Sequence, residues 1–484
     1  MTEATTRAPS SGRDASWLVG ADLAAVALAF VGQIMLTHAL LAEHYGWMVL
    51  AIDLYASLFL VIDLGLPTLL ARDGTRAPSL VPAAVWRTYR WQAMAALPFV
   101  LLALVIRPEG WLNVDAPAML LMLAALIALV HVASYAPRSG LRVLGEARLE
   151  ALTKVAERGV TVVAYGALVW QGSTSATAFA AAFLVGAISG WALALWWLLR
   201  VAPPAPERTE WRRLGDAWVS PRSLIASSLP FAITLGILPY VIRIEKFMVA
   251  ASGDATLGAV FHVAQLAWLA GLVVPAAIRS ALLPVLGGAR DHPVRHHREM
   301  HQATDLCFGL LPYGLFGGYL IMTFFAPLAF PSPYLDGTYG ASAVEVFTVL
   351  LAGWALTLLA TPTYSSLMAG PRPWRFTLFI VLVLLAAVLF GYGLVMQGPT
   401  EPGQKLFAAA VASCLSAGVL LVLSWHMSDA WELVRARQDD WALALLGSAF
   451  VVGGLVSGTA WWVLGLPLFL FTQRGWRAVR STLD

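Results

Sequence analysis

The chain has 484 residues, of which 59% are hydrophobic and 12% charged, with a formal net charge of +3. Soluble domains carry about a quarter charged residues, so this composition excludes a soluble enzyme with its own aqueous core. It predicts an all-α polytopic membrane protein. The net charge is too small to indicate a nucleic-acid partner, and its placement along the chain says more than its sum.

The elements follow in chain order. A polar tail, 1–15, precedes an apolar run at 17–41 that is longer than the core of a signal peptide, and it reads as the first span. Further spans are expected at 46–69, 88–107, 116–137, 152–171, 176–199, 223–247, 256–283, 303–327, 340–363, 374–396, 404–427, 441–455 and 458–472. The total is about fourteen transmembrane helices, or 12–13 if the short last pair is one tilted helix. Most Lys and Arg fall in alternate loops, while the opposite loops hold only Arg107 and Lys405. The positive-inside rule therefore places both termini in the cytoplasm and favours the even count. The expected layout is a cytoplasmic tail 1–15, an N-lobe 16–200, a cytoplasmic linker 201–222 and a C-lobe 223–427. A cytoplasmic loop 428–440, a final pair 441–473 and a cytoplasmic tail 474–484 complete it.

A shift of 212 residues lays Tyr45-Gly46 on Leu257-Gly258, Asp53 on Gln265, Val61 on Val273 and Leu70 on Leu282. This predicts two six-helix lobes related by a parallel internal repeat, a frequent build among transporters. Outside loops are short, the longest being 330–339 and 398–405. That argues against a glycan polymerase or ligase working from a large external loop.

The run AEHYGWMVLAIDLYASLFLVIDLGLPTLLAR, from Ala42, resembles the second span of Wzx-type polysaccharide flippases of the MOP exporter superfamily. SLPFAITLGILPYVIRIEKFMVAASGDATLGAVFHVAQLA (228–267) is similar to that family's seventh and eighth spans. AIRSALLPVL (277–286) and SPYLDGTYGASAVEVFTVLLAGWAL (332–356), followed by SSLMAG (365–370), resemble later segments. Phe261 stands where the family usually has Tyr, and Glu245-Lys246 replaces a lone Asp. The resemblance implies an alternating-access flippase of the bacterial cytoplasmic membrane. Its substrate would be an oligosaccharide linked to undecaprenyl pyrophosphate, with protons or another ion as the coupling species. Expected partners are that lipid-linked glycan, membrane lipids, a polysaccharide polymerase and glycosyltransferases. The alternatives are another MOP exporter, either a lipid II flippase or a multidrug antiporter, or a membrane glycan polymerase or ligase.

Charges inside spans are expensive and serve as candidate substrate-path groups. Asp53, about 10 Å below the outer edge by helical rise, reads either as a cavity or proton site or as the partner of a buried donor. Asp63 reads as a structural partner of Arg72 or Arg76, and Asp22 as facing the same end of the neighbouring helix. Arg243, Glu245 and Lys246 are placed near the outer end of the seventh span, where snorkelling is the plain account. Arg279 reads as either an inner-leaflet snorkeller or, if the resemblance holds, a pyrophosphate contact. Glu345, His262 and Gln265 read first as interhelical hydrogen-bonding groups.

His292, His296, His297 and His301 lie in a basic inside loop that suits anionic lipid better than a metal. Cys307 and Cys414, in separate spans, read as packing residues, and 20 Trp suit interface belts. No phosphate-binding, metallohydrolase or nucleophile motif occurs, so the reading is of a non-enzyme without cofactor or metal, driven by an ion or substrate gradient.

Overall fold

In hydrocarbon every backbone N–H and C=O must be satisfied within the segment, which an α-helix does. The structure, a computed structural model, describes residues 11–105, 116–204, 210–241, 243–289, 292–370 and 372–471, and every regular element among them is helical. The first ten residues, part of the 201–222 linker and the tail 474–484 lie outside the described residues. Two compact units, Met1–Pro239 and Tyr240–Asp484, divide within the segment expected as span seven.

The first unit contains α1 (Ser11–Ala39), α2 (Ala42–Ile62), α3 (Leu66–Asp73), α4 (Val81–Val105), α5 (Ala118–Val143), α6 (Ala147–Trp170), α7 (Ala176–Val201) and most of α8 (Pro221–Val241). The expected second span is a helix, a break and a second helix. Leu64 and Gly65 take φ of 56° and 64°, left-handed values that cost an L-residue roughly 1–2 kcal/mol. A Cβ on Gly65 would lie 2.6 Å from the Ser228 carbonyl oxygen and the Ala232 nitrogen of α8. Glycine is therefore required twice over, for its backbone angle and for the approach of α8. Pro67 sits in the first turn of α3, where its missing N–H has no intrahelical partner to lose.

The second unit contains α9 (Ile244–Ser252), α10 (Ala255–Gly271), α11 (Val273–Gly288), α12 (Pro293–Ala329), α13 (Ala343–Ala369), α14 (Pro373–Gly391), α15 (Pro402–Met427), α16 (Trp431–Arg435), α17 (Gln438–Ser457) and α18 (Trp462–Phe471). Its packing repeats that of the first. In the first unit α1 packs on α6, α6 on α7, α7 on α5, and α5 on both α2 and α4. In the second, α9 packs on α14, α14 on α15, α15 on α13, and α13 on both α10–α11 and α12. The pairings correspond, except that α9 packs on α15 as well, with no comparable packing of α1 on α7 among the described residues. The break at Leu64-Gly65 has its counterpart at Leu272, between α10 and α11. The internal repeat is thus one of topology, beyond the sparse identity.

Nine helices among the described residues are long and apolar enough to cross a membrane. The expected second and seventh spans are interrupted by the breaks after Ile62 and Val241. Polar groups mark the third and fifth: Arg87, Arg90 and Gln92 in α4, and Lys154, Glu157 and Arg158 in α6. The last pair is a hairpin of two helices. Gly458 turns it with φ of 63°, Gly447 abuts Phe469 and Gly465 abuts Val451, an antiparallel register. The hairpin packs on α12 and α13, and Arg437 anchors its base by pairing with Asp305 and, at 3.0 Å, with Asp440.

Part of the linker is docked, not free. Trp211–Arg213 and Asp216–Trp218 form short 3-10 turns, and Trp218 is fully buried. Arg87 donates to the Trp218 carbonyl at 2.7 Å and lies 4.5 Å over the Trp211 ring.

Candidate functional site

Each unit encloses its own cluster of polar groups. The first is built on one face of α6, where Glu150, Thr153, Lys154, Glu157 and Thr161 recur at three- and four-residue intervals. Glu157 is ten residues into α6, roughly 15 Å by helical rise, with its side chain 4% exposed. Its carboxylate meets Arg138 Nη2 at 2.6 Å and His131 Nε2 at 3.0 Å, both from α5, with Arg158 at 3.8 Å. Arg138 also donates to Thr153 Oγ1 at 3.1 Å. Toward the start of α6, Glu150 is held by both ends of the Arg142 guanidinium, a bidentate geometry. Lys154 bridges to Asp22 of α1 at 2.7 Å.

Two glycines on α7 make room for this network. A Cβ on Gly190 would stand 2.7 Å from Glu157 Cβ, and one on Gly186 would stand 2.0 Å from Thr161 Oγ1. The GxxxG spacing lets α7 close on α6, as small residues do between membrane helices.

In the second unit, Glu245 and Lys246 stand in the first turn of α9 and are each 1% exposed. Lys246 Nζ is 3.1 Å from His262 Nδ1 on α10, and Gln265 is buried one turn further on. The Ser413 hydroxyl of α15 hydrogen-bonds Glu245. Arg279 of α11 hydrogen-bonds Tyr364 of α13.

Several expectations change. Glu245 and Lys246 do not snorkel: the helix restarts at Ile244 and runs to Ser252, which carries both inside the packed unit. Asp63 accepts from Gln92 Nε2 at 2.8 Å, while Arg72 holds the adjacent Asp73. The break at Leu64-Gly65 separates Asp63 from Arg72 and turns it toward α4. Asp22 faces α6, through Lys154, and not the end of the second span. Glu345 closes a capping box with Ser342 at the start of α13, so its carboxylate is committed to the helix end. Asp53 is half-buried on α2, with its carbonyl accepting from Ser57.

Glu157, Glu150, His131, Arg138 and Arg142 were not picked out from the sequence as a site. The three-four spacing of polar groups in EALTKVAERGVT carried that signal. The positive-inside reading absorbed it by counting Arg142, Arg148 and Lys154 as loop charge. Among the described residues no three His, Cys, Asp or Glu gather as metal ligands, and Cys307 and Cys414 are free thiols.

Helical units of repeated topology are a build used by secondary transporters. No family model and no curated protein sequence matches the chain. Solved structures do. An inward-facing multidrug resistance MATE family transporter of the MOP superfamily aligns at TM-score 0.62 and 15% identity, over 84% of this chain and 95% of that one. An outward-facing structure of such a transporter aligns at 0.59 and 14%, over 88% and 98%. A MOP superfamily transporter from Pyrococcus furiosus, described as having a binding pocket of reverse polarity that suggests a different function, aligns at 0.59 and 14%, over 87% and 96%. The likeness is one of fold: the chain is an all-α polytopic membrane protein with the fold of MOP superfamily transporters.

Proposed function

We propose that this protein is a carrier that flips an oligosaccharide linked to a polyprenyl pyrophosphate across the bacterial cytoplasmic membrane, with both termini inside. The fold of its MOP neighbours supports transport by alternating access. The observation that carries the anionic substrate is the charge balance where α1 and α5 pack on α6. Asp22, Glu150 and Glu157 are each paired, and Arg138, Arg142, Lys154 and Arg158 outnumber them. Such a cluster has no spare carboxylate for a lipophilic cation and a net cation for a phosphate-bearing one. On this reading the protein hands its cargo from cytoplasmic glycosyltransferases to a polymerase outside. Asp53, Arg243, Glu245, Lys246, His262, Gln265 and Arg279 remain candidate path residues. Loss of the protein should trap lipid-linked glycan on the inner leaflet and abolish surface polymer. Single repeat units already attached outside would instead mark a polymerase and end the proposal.

Glu245, buried in the second unit, favours a second reading as a multidrug exporter that takes cationic compounds, multidrug resistance being what some structural neighbours are described for. Ethidium efflux that rises with expression, and falls in Glu245→Gln, would establish it.

A further inference from the structure

A cavity of about 530 Å³ opens in the second unit where α11, α13 and α15 end and α12 and α14 begin. We propose that it binds the phosphate or pyrophosphate headgroup of a lipid. Arg372, Arg375, His296 and His297 line it, and among the described residues no carboxylate does. Leu286, Leu367 and Met427 supply an apolar wall. The volume exceeds that of a pyrophosphate, so this wall also takes the first carbons of a lipid stem.

Helix N-termini of α12 and α14 oppose the C-termini that end beside them, so their dipoles largely offset and side chains set the sign of the field. Arg375 contacts Asp429 at 3.2 Å, but this pair is exposed and exposed pairs are weak, about 0–1 kcal/mol. Its fork therefore remains available to phosphate oxygens. His296 Nε2 stands 3.1 Å from Ser366 Oγ, while its Nδ1 is buried with no hydrogen-bond partner among the described residues. Burial, helped by neighbouring His297, holds the His296 pKa below its ordinary value. Permanent charge in the cavity thus comes from the two arginines. They lie at the basic end of the helices, which the positive-inside bias assigns to the cytoplasmic leaflet. The site rests on the membrane reading of the chain but not on glycan export.

The test uses the full chain in detergent micelles, titrated calorimetrically with farnesyl pyrophosphate, inorganic pyrophosphate and dioleoyl phosphatidylglycerol. Farnesyl pyrophosphate should bind one-to-one, and Arg372→Gln/Arg375→Gln should weaken it by about tenfold or more, the scale of two charge-assisted contacts. Arg295→Gln/Arg298→Gln removes equal charge outside the cavity and should change binding by less than about twofold. Melting curves check that the variants are folded, and the two single arginine variants replace the double if it is not. Equal tightness for phosphatidylglycerol assigns the site to bulk anionic lipid, and for inorganic pyrophosphate to the anion alone. A preference for farnesyl pyrophosphate assigns it to a carrier lipid. Unchanged affinity in the arginine variants, equal loss in the control, or no binding of any probe would overturn the site. Each readout stands whether or not cells export glycan, so failure here and failure of the export reading are separable.

Discussion

The indole Nε1 of Trp218 donates to Asp73 Oδ2 at 3.2 Å, joining the end of the linker to the end of α3. The same carboxylate group takes Arg72 Nε at 2.8 Å, and Trp218 stacks on Trp211 with ring centres 6.3 Å apart. A stretch that composition marks as linker is therefore core. Trp218→Ala should destabilise the first unit by about 3–5 kcal/mol, the cost of emptying a large aromatic site. It should also speed tryptic cleavage at Arg212 and Arg213 in membranes opened to the protease. A cleavage rate equal to wild type would show that the latch is dispensable.

Glu157 and Arg138 should behave as a buried pair. Removing either partner strands a charge, and such losses are about 3–5 kcal/mol. Glu157→Gln and Arg138→Met should each lower the thermal midpoint of the purified protein strongly, and the double variant should recover part of the loss. Additive effects of the two substitutions would mean that they do not interact.

The glycines of α7 give a steric prediction with an internal control. Gly186→Ala places a methyl against both Thr161 Oγ1 and, at 2.8 Å, the Glu157 carbonyl oxygen. Backbone cannot rotate away, so the variant should reach the membrane in much reduced amount. Gly159→Ala on α6 meets nothing within 4 Å and should be neutral or stabilising by up to about 1 kcal/mol. Equal yields for the two variants would refute the packing of α6 on α7.

If the proposed export reading is right, Asp53→Asn should keep the fold and lower glycan export per molecule, because the amide preserves shape and hydrogen bonding but cannot change charge as an alternating cavity would require. Wild-type export would remove Asp53 from the transport path and leave the α6 cluster as the place to look.

For topology, single cysteines at Ser10, Arg208 and Ser481 in a Cys-free background should resist an impermeant thiol reagent in intact cells. Labelling at Arg208 would invert the arrangement assumed for both lobes.

The sequence by itself determined the solvent and the architecture. Apolar runs of spanning length, short loops and one-sided arginines are written locally, residue by residue, because the bilayer imposes the same demand on each segment. Even the repeat was visible, as equal spacing between paired helices. What only the tertiary structure decided was which polar groups meet. Glu157 finds Arg138 and His131, Asp63 finds Gln92, and Lys246 finds His262 through the approach of separate helices. That approach depends on where helices break and where glycines allow contact. A break of two or three residues, as at Leu64-Gly65, rotates and shifts every later side chain of the element. Hydropathy averaged over a span is blind to it, and so the membrane was legible in the sequence while the partners of its buried charges were not.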